Sequence, residues 1–142
     1  MSKFIISCAI CAALLGLGGS AHAQGTAYET FAVKNTTANE ITYEVRWDNN
    51  VWKTFVLNPG QTRWHFNAVR GQGQFPEARL RYQTVNNVGN PIVVSHVMGT
   101  LLVDQPKRVT PSMFRTSDSG RLYLQILRPT LRRMPDELRI DE

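Results

Sequence analysis

Between Tyr43 and Tyr82 the chain gathers all three of its tryptophans, Trp47, Trp52 and Trp64, together with Arg46, Arg63, Arg79 and Arg81. Aromatic faces stack on sugars and on cations, and a planar guanidinium grips a carboxylate or sulfate through paired hydrogen bonds. The chemistry these residue types offer is recognition, not bond breaking. Alternation along the flanking segments puts the four arginines on wet positions, with His65 among them. Trp47 and Trp64 fall on apolar positions and are expected in the core, while Trp52 shares its parity with Thr54 and Val56. The candidate binding set is therefore Trp52, Arg46, Arg63, His65, Arg79 and Arg81.

Catalysis is poorly supplied. Beyond residue 23 the only histidines are His65 and His96, and no Gly-x-Ser-x-Gly nucleophile turn occurs. His-x-His, His-x-Glu and acidic calcium-loop spacings are missing, so no metal site is expected. Gly71-Gln72-Gly73 lacks the further glycine and helix start of a phosphate loop, and no cofactor is implied. Paired carboxylates could hydrolyse a glycosidic bond. Glu44 and Glu77, with His65, would be the first choices for such a hydrolase, but a strand glutamate more commonly pairs with a cross-strand arginine. No motif specific for nucleic acid is present.

The first 23 residues read as a secretory signal: Lys3, an apolar run of about 14 residues from Phe4 to Leu17, then Ala21-His22-Ala23 as a small-x-small cleavage site. That run is shorter than the roughly 20 residues a membrane-crossing helix needs. Cleavage before Gln24 would remove Cys8 and Cys11, the only cysteines, and leave a disulfide-free protein for the periplasm or the exterior. The chain carries a net charge of +5, with Lys3 contributing one positive charge to the leader and the rest of the excess lying before Arg128. A charge of that size keeps a domain soluble and attracts anionic polymers weakly.

The elements that must hold these residues show a period of two. Strands are predicted over Tyr28 to Lys34, Ile41 to Trp47, Val51 to Leu57, Thr62 to Asn67, Ala78 to Thr84, Ile92 to Met98, Thr100 to Val103 and Arg121 to Leu127. Asp48-Asn49-Asn50, Pro59-Gly60, Asn86 to Pro91 and Ser117 to Gly120 supply the turns. Ile92 to Met98 is apolar on both parities apart from Ser95 and His96, the pattern of a central strand covered on both faces. Lys107 to Ser112, preceded by Pro106 and containing Pro111, reads as an edge or a connection. Asn35-Thr36-Thr37 matches a glycosylation sequon in a turn.

The expected fold is all-β: an antiparallel two-sheet sandwich, Ig-like or C2-like, of seven or eight strands, with a small closed barrel as the alternative. Residues 24–127 form the domain, and residues 128–142 a charged irregular or helical tail, with Pro135 able to begin a helical turn. The leading functional expectation is an exported, non-catalytic binding module for a glycan or anionic envelope polymer. An accessory protein that pairs with an envelope protein through an edge strand, and a small hydrolase, are the alternatives.

Overall fold

The structure, a computed structural model, describes residues 25–69 and 75–132. Nine strands form two open sheets: β1 (Tyr28–Asn35), β2 (Ile41–Trp47), β3 (Lys53–Leu57), β4 (Thr62–Ala68), β5 (Ala78–Val85), β6 (Pro91–Met98), β7 (Leu101–Val103), β8 (Ser112–Thr116) and β9 (Leu122–Gln125). One sheet runs β3-β2-β5-β6; the other runs β4-β1-β8-β9, with β7 also pairing β1. Neither closes, so the barrel alternative is not met. The leader, the cysteines and the Pro135 turn lie outside the described residues.

Between the sheets Phe31, Val33, Ile41, Tyr43, Val45, Leu57, Leu80, Tyr82, Phe114 and Leu124 pack as one core. The expected alternation holds in β2 and β5, where these side chains point inward and the residues between them outward. The turns also form as their residues dictate. Asp48 takes φ +48° after β2, and Gly60, Gly89 and Gly120 take positive φ in the turns before β4, β6 and β9.

Three expectations are overturned. β6 is an edge strand, not a central one: its inward residues pack on the core, and Val93 and Val97 are 65% and 55% exposed on the outer face. β4 has the opposite parity to that expected, with His65 buried between the sheets and Phe66 turned out and 54% exposed. The strand count reaches nine because Ser112–Thr116 is a strand, pairing parallel to β1 and antiparallel to β9. Pro106 opens a single 3-10 turn, so the preceding segment is indeed a connection.

That connection explains the β4 inversion. Its 3-10 turn packs on β1 and β4 from outside, and Trp64 donates its indole N–H to the carbonyl of Val109 at 3.0 Å. Thr30 and Ala32 are buried beneath it, so β1 is dry on both faces. Residues 130–132 are laced onto the same connection: Thr110 N donates to Thr130 O and Arg132 N to Arg108 O.

Asn35, at the end of β1, is fully buried. Its Nδ2 donates to Leu57 O of the opposite sheet (2.9 Å) and to Asn39 O (2.7 Å), and its Oδ1 accepts from Thr37 N and Thr37 Oγ1. Both amide protons are committed, so the folded chain has no place for a glycan on this nitrogen. Asn35→Ala leaves the buried Leu57 carbonyl without this donor and opens the turn at Asn39, and is expected to lower the unfolding free energy by about 2 kcal/mol, read from urea denaturation midpoints at constant slope.

Candidate functional site

Two surfaces separate the candidate residues. On the outer face of the β3-β2-β5-β6 sheet, β2 and β5 set Glu44 opposite Arg81 and Arg46 opposite Arg79. Trp52, just before β3, lies beneath two guanidinium groups, 4.2 Å from Arg81 and 4.7 Å from Arg46. Arg81 also grips Glu44 through both Nε and Nη2, the latter at 3.1 Å, and Arg79 pairs with Glu77. The Glu44 carboxyl is held below its usual range by the hydrogen bond from Arg81. Two of the three arginines on this face, Arg79 and Arg81, already hold carboxylates of the chain itself. Arg46 Nε is buried without a hydrogen-bond partner among the described residues.

Arg63 and His65 lie elsewhere, on β4, at the side where β3 and β4 form the edges of the two sheets. There the sheets part around a cleft of about 540 Å³ lined by Val45, Trp47, Phe55, Trp64, His65 and Phe66, with Asn50, Lys53 and Asn67 among the polar groups. Arg63 places its guanidinium 5.3 Å from the Phe55 ring centroid. A cleft of this size and mixed lining lies in the range of small-ligand sites. Phe66 stands in the β4 wall, edge-on to Tyr28, and a second groove of about 480 Å³ runs on its other side along Asp104 to Arg108.

His65 sits in a nest of rings. Phe31 stacks on it at 5.0 Å, Phe55 meets it edge-on at 4.6 Å, and its Nε2 shares a 2.7 Å hydrogen bond with the Tyr43 hydroxyl. Burial, reinforced by the positive charge of Arg63, lowers its pKa to about 3. The imidazole is therefore neutral at any ordinary pH, and burial pushes the Tyr43 phenol up. Glu44 and Glu77 are on the outer face, with a sheet between them and His65, so the three do not form one constellation. Among the described residues no cluster of three His, Asp or Glu side chains could hold a metal, and no helix is long and apolar enough to cross a membrane.

Trp47 and Trp64, which parity places in the core, line the cleft together with Phe66, which shares the parity of Trp64. Arg63, His65 and Asn67 alternate with Thr62, Trp64 and Phe66, so β4 reads as a strand with one wet face, and only the run of three rings, Trp64, His65 and Phe66, departs from that pattern. Comparison with family models, with curated proteins and with solved structures returned no match.

The neutrality of His65 has a pH consequence. Its folded pKa lies below the 6.5 of a free imidazole, so between those values the unfolded chain binds a proton that the native chain refuses. The contribution is complete above pH 6.5 and is lost as pH falls toward 3, at about 1.4 kcal/mol per pH unit. His65→Gln, which can still bond to Tyr43, is expected to flatten much of that slope in urea titrations between pH 4 and 7. A remainder is assigned to His96, whose pKa burial also lowers.

Proposed function

We propose that this protein is an exported, non-catalytic binding module of C2-like type, and that its ligand seat is the aromatic cleft between β3 and β4. The observation that carries the reading is the cleft lining: exposed and half-buried ring faces beside the amides of Asn50 and Asn67 and the ammonium of Lys53. Aromatic faces with a few fixed polar groups are what a sugar ring requires, apolar C–H surface on one side and hydroxyls around its rim. Lys53 in the lining and Arg63 beside Phe55 favour glycans that carry carboxylates or sulfates. The internal ion pairs of the outer arginine face weaken its claim to be the seat, because a ligand there must first displace Glu44 or Glu77.

Two further supports are indirect. An immunoglobulin domain keeps its first two strands in one sheet, whereas β1 and β2 here lie in different sheets, which favours the C2-like of the two expected sandwich types. Export rests on the leader pattern of residues 1–23.

The test is retention on a panel of neutral and acidic glycans at low and physiological salt. Phe66→Ala, a substitution at an exposed side chain, is expected to weaken retention about tenfold through lost stacking. Lys53→Ala should remove the salt-sensitive part, and Trp52→Ala should change nothing. Loss in Trp52→Ala with Phe66→Ala unaffected would transfer the site to the arginine face; no retention at either salt would end the glycan reading.

A further inference from the structure

We infer that β6 is a self-association edge, and that a second copy of this chain pairs with it antiparallel about a two-fold axis at Ser95. This inference is independent of the ligand proposed for the cleft. Among the described residues β6 is bonded on one side only, to β5. Of the outermost strands in the two sheet orders, β3 carries Lys53, β4 carries Arg63, and β9 has four residues. β6 has eight residues, Pro91-Ile-Val-Val-Ser-His-Val-Met98, and none is charged: burial keeps His96 in its neutral form. A long uncharged edge lacks the lysine, bulge or central proline that ordinarily blocks strand pairing.

The main-chain phase sets the register. Asn86 N donates to Asn90 O at 2.8 Å, which marks Asn86 and Asn90 as a hydrogen-bonded pair at the mouth of the β5–β6 hairpin. Hydrogen-bonded and non-bonded pairs alternate along an antiparallel ladder. Following the β5–β6 register, Ile92, Val94, His96 and Met98 turn their N–H and C=O groups toward β5. Val93, Ser95 and Val97 therefore turn theirs outward. Ser95 lies midway between the two valines, so a two-fold axis through it sets Ser95 against Ser95 of the second copy and Val93 against its Val97. Each of the three pairs exchanges two hydrogen bonds, about six in all. The side chains of the same residues emerge on the outer face, and the two exposed valines of each copy meet there. A shift by two residues in either direction loses pairs and unmatches the valines, so the strand is self-complementary in this register, as an isologous contact requires.

Such a seam is small beside the roughly 1,000 Å² of a stable interface, so the dimer forms and dissociates with concentration. The full chain in sedimentation equilibrium between about 5 and about 500 µM is expected to pass from monomer to dimer. Hydrogen exchange over the same range should show protection of the Val93, Ser95 and Val97 amides rising with concentration, while those of Val94 and His96 are protected throughout. Ser95→Lys sets two ammonium groups face to face on the axis and should raise the dissociation constant about tenfold or more, with circular dichroism unchanged because Ser95 is exposed. A monomer at every concentration overturns the inference. So does a dimer that survives Ser95→Lys or leaves the three amides unprotected. Protection of those amides independent of concentration means that the chain covers its own edge, and also overturns it.

Discussion

The side chain of Asn35 is the point at which the two sheets are tied, and much of the architecture follows from satisfying it. Its amide bonds reach across to Leu57 in the facing sheet and close the turn at Asn39 that carries the chain from one sheet to the other. Its backbone N–H and C=O engage Gln61 and Gly60 in the turn that returns the chain from β3 to β4. One buried residue thus sets where two successive sheet crossings occur. A buried amide is costly unless every donor and acceptor is matched, and here each is. Further polar bonds repeat the device along the core: Tyr43 with His65, Leu124 N to the Tyr82 hydroxyl, and Thr84 to Leu122 O. The sheets are held in register by directional bonds as well as by packing, which compensates for the lack of any cross-link among the described residues.

At the opposite edge from β6 the sheets part, and that parting makes the cleft. Rings that would otherwise complete the core, Trp47 and Phe55, keep one face on it and turn the other to the opening. The neutral imidazole of His65 meets the Phe55 ring edge-on, and Phe31 packs against Trp47. The outer arginine face has a different character. Trp52, Arg81, Glu44 and Arg46 form a stacked and paired ladder on a solvated sheet, and its bonds are directed inward, to each other.

How much of this was legible in the sequence depended on whether an element had one dry face or two. β2 and β5 each have one, and Tyr43, Val45, Leu80 and Tyr82 were readable as core while Arg46, Arg79 and Arg81 were readable as outward. β4 and β6 misled for related reasons. In β4 the polar parity of Arg63, His65 and Asn67 reads as wet, yet His65 faces the core and a connection remote in sequence covers Trp64 on the outer side; alternation cannot reveal a cover that arrives some 40 residues later. In β6 both parities are apolar, yet the outer valines are exposed. An apolar pattern of that kind records a strand's composition and not its neighbours. β8 was hidden by Pro111 before it and by its shortness, and its pairing with β1 is long-range and parallel, which leaves no local turn signal. The cleft shares the cause of the β4 error: its rings were counted as core when they stand at the place where the core opens.

β1 pairs with β4, β7 and β8, and its partners lie between about 30 and 80 residues downstream. It is also buried on both faces, by the core on one side and by the 3-10 connection on the other. A strand with two dry faces is thus synthesised first among the described elements and waits longest for shelter. Contacts of such sequence separation make folding slow, since loop closure must precede any gain from pairing. While the ribosome still holds the region after Thr110, the emerging chain has no means of completing this sheet. The topology itself thus defers completion of this strand's pairing until the chain has been made through Thr116.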